Sequence, residues 1–112
     1  MNNNSIKEYA LYMLAYSMGV EKNNISVAKS CMCVFFTAGK YNIQRNQNKE
    51  EIKLWYDAID FLEANGYIER VHIKDQIYDI TESGRMEARD YINRTGLDIT
   101  NYPKDTIDSL LN

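Results

Sequence analysis

Proline and histidine each occur once in this chain, cysteine twice and glycine five times among 112 residues. So little proline and glycine leaves no room for a collagen-like repeat, a Gly/Ser linker or a Pro-rich tract. Two cysteines cannot build a disulfide framework. With a single histidine beside them they do not make a zinc-finger ligand set either. No apolar run reaches the roughly 18 residues that span a bilayer. No Gly-rich phosphate loop, nucleophile elbow or metal-ligand motif occurs, so the residues give no ground for an enzyme, and neither a catalytic residue, a metal nor a cofactor is expected. The start, Met1-Asn2-Asn3-Asn4, lacks the basic and apolar regions of a secretory signal, which sets the expectation of a cytoplasmic protein.

What is present is enough for one core. Hydrophobic residues make up 45% of the chain, with nine Tyr, three Phe and one Trp. A single domain over residues 1–112 is expected, with 1–4 as a flexible lead and 97–112 as a tail carrying a short helix that starts near Pro103. The net charge of −3 hides an uneven distribution. Residues 25–49 carry Lys29, Lys40, Arg45 and Lys49 and no acid, whereas residues 50–112 hold fourteen acids and seven bases. One acid-free basic segment thus precedes a strongly acidic remainder.

Spacing predicts a first helix capped by Ser5, with Glu8 as the reciprocal capping-box residue, running through Tyr9, Met13 and Leu14 to Gly19. A second helix is expected from Ser26 through Cys31, Met32, Phe35 and Phe36 to Gly39, apolar almost all round and therefore buried. On that helix Cys31 and Cys33 would point to opposite sides, unable to share a metal, and read as inert thiols. Residues 39–48 form a polar link. A third helix follows, with Asn48 as N-cap and Glu50 and Glu51 in its first turn. Ile52, Trp55, Ile59 and Leu62 line its apolar side, while Lys49, Lys53, Tyr56, Asp57 and Asp60 occupy the opposite stripe. Gly66 ends it. Strands over 67–73 and 76–80 make a hairpin turning at Lys74-Asp75, and Thr81 caps a last helix that reaches Gly96.

The run Leu62-Glu63-Ala64-Asn65-Gly66-Tyr67-Ile68-Glu69, followed by Ile80-Thr81-Glu82-Ser83-Gly84-Arg85, resembles the end of the recognition helix and the exit from the wing in winged helix-turn-helix proteins, in particular small regulators of the MarR and PadR type. The resemblance covers about residues 48–92. It implies a mostly α fold with a small β-hairpin wing, and duplex DNA as partner. In such folds the recognition helix enters the major groove by its N-terminal end and the wing follows the backbone. Carried onto this chain, the reading surface is Gln44, Arg45, Asn46, Gln47, Asn48, Lys49 and Lys53, with Lys40 on phosphate and Arg70, His72 and Lys74 on the wing. Asn and Gln pair with adenine, Arg with guanine, and Lys neutralises phosphate. The plain alternative is a solvated polar loop at 40–49 and a wing repelled from phosphate by Asp75.

Three expectations follow. The first is a homodimeric transcriptional regulator, paired through Tyr9, Tyr12, Met13 and Tyr16 of the first helix and the apolar tail residues, as a palindromic operator requires. The second is a centromere-binding adaptor of plasmid or phage partition, of the TubR type, which the small size and an Asn- and Ile-rich composition suit. The third is an acidic winged-helix interaction module that binds no DNA.

Overall fold

A helix that is apolar on every side has to be enclosed, and the first helix meets that condition. From Tyr9 to Ser17 no residue is more than 4% exposed. This helix, α1 (Asn3–Tyr16), packs against both other helices and against the sheet. The computed structural model describes residues 3–18, 24–29, 34–39, 41–42, 49–71 and 76–100. After α1 come β1 (Asn24–Lys29), β2 (Val34–Ala38), β3 (Tyr41–Asn42), α2 (Lys49–Ala64), β4 (Ile68–Arg70), β5 (Ile77–Ile80) and α3 (Glu82–Thr95). The architecture is α+β: among the described residues, three helices and a five-stranded antiparallel sheet in the order β3-β2-β1-β5-β4.

That sheet corrects the expected mostly α fold. The helix predicted from Ser26 to Gly39 is instead the β1–β2 hairpin. A short apolar run rich in β-branched and aromatic residues fits a buried strand as well as a buried helix, and alternation separates the two. Here Ile25, Phe36 and Ala38 are buried, while Ala28 and Phe35 on the other face are exposed. The register follows from that alternation, Ile25 opposite Ala38 and Val27 opposite Phe36. Gly39, expected as a helix stop, turns the chain from β2 into β3 with φ of 60°, and its N–H donates to the Asn24 carbonyl at 2.8 Å. The hairpin expected as a two-stranded wing is part of the larger sheet. Among the described residues β4 pairs only with β5, and β5 pairs on its other side with β1, setting Ile25 opposite Tyr78.

The second half of the chain keeps the order read from sequence. α2 buries Leu54, Trp55, Ala58, Ile59 and Leu62. It ends at Gly66, with φ of 75°, where the Tyr67 N–H reaches back to the Leu62 carbonyl at 2.9 Å. Thr81 caps α3 by accepting from the Gly84 N–H at 3.1 Å, and its hydroxyl donates to the Gly66 carbonyl at 2.6 Å, so one side chain ties the exit of α2 to the entry of α3. Gly96 closes α3 at φ of 71°. Strands β4 and β5 are shorter than the predicted 67–73 and 76–80. At the other end, α1 begins at Asn3, which puts Ser5 within the helix rather than at its cap.

The core joins these parts. The Trp55 ring stands edge-on to Tyr9 at 4.8 Å and lies 6.4 Å from Phe36, linking α2 to α1 and to β2. Tyr16 meets Tyr12 at 5.0 Å and Tyr41 at 5.4 Å. Beyond α3, Leu97 and Ile99 pack on the core, and the Tyr41 hydroxyl donates to the Thr100 carbonyl at 2.9 Å. The aromatic residues of α1 are thus enclosed within one chain, which removes the reason for pairing two copies through that helix. Residues 101–112, with Pro103, Ile107, Leu110 and Leu111, lie outside the described residues.

Candidate nucleic-acid interface

Helix α2 exposes a narrow polar stripe because its wide apolar face is committed to α1 and the sheet. Lys49, Glu50, Lys53 and Asp60 are exposed along it, and Asp57 is half-buried. Glu50 and Glu51 suit the positive end of the helix dipole, whereas Lys49 in the same turn opposes it. Lys53 is 77% exposed and holds the Asp57 carboxylate one turn on at 2.8 Å. Both line an open groove of about 490 Å³ between α1 and α2, with Ile6, Glu50 and Leu54. The base in that groove therefore lies between two acids.

At the far end of α2 a second polar cluster forms where the helix meets the β4–β5 hairpin. Arg70 on β4 donates to the Tyr78 hydroxyl at 3.0 Å, and its guanidinium carbon lies 5.2 Å from the centre of that ring. It also pairs with Glu63 of α2 at 3.6 Å. Burial pushes the Tyr78 hydroxyl above its ordinary range. Arg70 pulls it back, and Glu63 and Asp60 add to the rise. On the opposite face of the hairpin, Glu69 and Asp79 are exposed and stand directly across from one another.

Of the eleven residues that the sequence nominates for DNA, three fall within the described structure: Lys49, Lys53 and Arg70. Lys49 and Lys53 share the N-terminal half of α2, as expected. Arg70 is separate from them, at the junction of α2 with β4 and held by Glu63 and Tyr78. Lys40, Gln44, Arg45, Asn46, Gln47, Asn48, His72 and Lys74 lie outside the described residues, as do Asp75, Cys31 and Cys33. The expected divergence of the two cysteines requires a helix over 26–39, which the β1–β2 hairpin replaces.

Three placements escaped the sequence reading. Tyr56, assigned to the solvent stripe, packs edge-on against Phe36 at 5.1 Å. Glu51 is turned inward and is only 6% exposed. Its charge adds to the burial that pushes the Tyr9 hydroxyl up to about 12. The third is the Glu63–Arg70 pair, which spans the Gly66 turn and so has no signature within one element. The Lys53–Asp57 pair, also not named from the sequence, does have a signature within one element, its i, i+4 spacing.

A second groove, of about 260 Å³, runs between α1 and α3. There Arg94 pairs with Glu8 at 3.2 Å and covers the Tyr91 ring at 5.2 Å, with Lys7, Glu87 and Asp90 around them. Burial, with Glu8 adding to it, pushes the Tyr91 hydroxyl up to about 12. The pairing of α1 with α3 across this groove is structural in character. Among the described residues no group of three or more His, Cys, Asp or Glu is placed to hold a metal ion, and no helix is long and apolar enough to cross a membrane. No protein-family model, curated protein or solved structure matches the chain.

Proposed function

We propose that the chain binds duplex DNA through the N-terminal half of α2, on a winged-helix-like frame, and regulates transcription by occupying an operator. One observation carries the reading. The order of amphipathic helix, left-handed Gly66, β4–β5 hairpin, Thr81 cap and closing helix is realised as read, and α2 presents exposed Lys49 and Lys53 where the acid-free segment 25–49 ends. Binding rather than catalysis is the proposed activity. Support is confined to this half, because strands occupy residues 24–29 and 34–38 where a helix-turn-helix would place its first DNA-side helix. The proposed contact is therefore α2 with the segment leading into it, not a two-helix motif. A homodimer on a palindromic site would have to join outside α1, whose apolar side chains are already enclosed.

Fluorescence anisotropy of the protein against the duplex upstream of its own reading frame, and against a scrambled duplex, tests this at two salt concentrations. Preferential binding of the native fragment that weakens steeply with salt is the expected result. Absence of binding to either duplex at low salt would overturn it. Cooperative coating of tandem repeats in the same assay would assign the protein to partition instead of operator occupancy.

A second reading, an acidic interaction module, is favoured by the charge compensation at the site. Asp57 and Glu63 pair with Lys53 and Arg70, and the exposed Glu69 and Asp79 give the hairpin's outer face a negative charge. Capture of a basic protein partner without any duplex affinity would support it.

A further inference from the structure

Among the described residues the helices pack on one face of the sheet. Trp55 and Tyr56 of α2 reach Phe36 of β2, Tyr16 of α1 meets Tyr41 of β3, and Gly84 of α3 sits against Ile80 of β5. Alternation sends the neighbours of these strand residues to the other face, where the register aligns them in rows. One row crosses the sheet through Asn42, Thr37, Ser26 and Ile77 to Val71, whose N–H donates to the Ile77 carbonyl at 2.9 Å just beyond β4. Phe35 and Ala28 flank that row on one side, and Asn24, Asp79 and Glu69 flank it on the other. An open face of an antiparallel sheet is ordinarily polar. This one departs from that in two ways. Three large apolar side chains are exposed among the described residues, and two of them are here, Phe35 at 36% and Val71 at 42%, with half-buried Ile77 opposite Val71. The exposed carboxylates of Asp79 and Glu69 stand directly across from each other, an arrangement of like charges that weakens a sheet. Among the described residues neither has a hydrogen bond or an ion pair, so sheet stability does not account for their placement.

We propose that this open face docks a basic amphipathic helix of another protein; this rests on the interaction reading above, to which it adds the surface and the partner's chemistry. Five strands spaced about 4.8 Å apart make a platform about 19 Å across, which a helix of about 13 residues covers. The apolar stripe of such a helix covers Phe35, Ala28, Ile77 and Val71. A Lys or Arg on its flank meets Asp79 and Glu69, and the cation relieves the repulsion between them. The docked helix completes a second helical layer on a sheet that so far has one. A second copy of this chain fits less well. Among its described residues the face carries two acids and no base, so the same face of another copy brings no counter-charge. Phosphate is repelled for the same reason. The proposed duplex contact on α2 lies on the other side of the sheet, so the two partners do not compete for one surface.

The test titrates isotope-labelled full-length protein by NMR with an amphipathic Leu/Lys peptide of about 14 residues, long enough to cross the sheet as a helix. A shuffled peptide of the same composition is the control. Amide shifts should concentrate at Ala28, Phe35, Thr37, Ile77 and Asp79. Asp79→Lys should weaken the peptide about fivefold, an exposed attraction exchanged for a repulsion. Phe35→Thr should also weaken it about fivefold through lost apolar contact. Asp90→Lys, which makes the same change in net charge at an exposed site on α3, should alter affinity by about twofold or less. Asp79→Lys also turns a like pair into an opposite pair, so its denaturation midpoint should hold or rise. A lower midpoint would assign the two carboxylates a structural role and remove the argument from charge. Equal binding of the shuffled peptide, or equal weakening by Asp90→Lys, would reduce the effect to net charge and overturn the docking surface. Shifts confined to α2 or α3 would overturn this surface and leave the interaction reading standing, whereas no binding at low salt would overturn both. A dimer of the peptide-free protein in sedimentation velocity, lost in Phe35→Thr, would give the face to a second copy and also overturn the proposal.

Discussion

Gly66 and Gly84 bracket the β4–β5 hairpin and are glycine for different reasons. Gly66 needs its left-handed φ of 75°, yet a methyl group there would meet nothing within 4 Å. At Gly84 the demand is space: an added Cβ would collide with the Tyr67 carbonyl oxygen and lie 2.9 Å from Ile80 Cγ1. Gly66→Ala should therefore cost about 1 kcal/mol of left-handed strain. Gly84→Ala should cost about 3 kcal/mol or more, since the obstacle is backbone beside the Thr81 cap. Chemical denaturation of the two variants checks the order, and equal losses would contradict it. Two buried phenols set a pH limit at the same scale. Tyr9 and Tyr91 are pushed from 10.0 up to about 12, mainly by burial. A folded-state value above the unfolded one means that stability is fully present below about pH 10 and falls as pH rises from about 10 to 12, where the unfolded chain releases protons that the folded chain keeps. Denaturation midpoints followed from neutral to alkaline pH should show that decline, and a flat profile would count against these burials.

At the scale of elements, β1 is the strand on which the fold turns. It pairs with β2 on one side and β5 on the other, and so joins the first half of the chain to the helix–hairpin–helix half. The Val27 N–H donates to the Gln76 carbonyl at 2.9 Å, beyond the end of β5. A central strand opens only with the global transition, so the amides of Ile25 and Val27 should exchange orders of magnitude more slowly than those of the edge strand β4. Hydrogen exchange read by NMR makes this comparison directly. A helix over 26–36 would instead protect a continuous series of amides through residues 30–33, with no contrast between alternate strands. Trp55 has the corresponding role among side chains, because a single ring fills the space shared by α1, α2 and β2.

Over the whole molecule, charge decides what α2 can meet. The chain carries a net charge of −3, and five of the seven charged residues on α2 are acids. The exposed bases of α2 are Lys49 and Lys53, at the end of the helix through which the proposed duplex contact is made. Lys49→Gln and Lys53→Gln together should weaken duplex binding about tenfold at physiological salt and reduce the slope of log affinity against log salt by roughly two, one for each phosphate that is no longer neutralised. Anisotropy across a salt series measures both. Unchanged affinity and slope would place any DNA contact away from α2.

The sequence by itself determined the second half of the fold. Amphipathic spacing from Ile52 to Leu62, the obligatory left-handed glycine at 66, the Thr81 cap and the glycine at 96 are local instructions, and local chemistry suffices to read them. The exposed Lys49 and Lys53 were legible for the same reason, since they fall on the stripe that apolar spacing leaves over. Only the tertiary structure decided the state of residues 24–29 and 34–38. An apolar run bordered by a glycine satisfies a buried helix and a buried strand equally, and the choice lay with a partner distant in sequence, β5, whose unpaired edge β1 completes. It also decided that α1 is enclosed within its own chain, that Glu51 and Tyr56 turn inward, and that Arg70 meets Glu63 and Tyr78. Each of these depends on elements meeting in space, which the spacing of residues within a single element cannot encode.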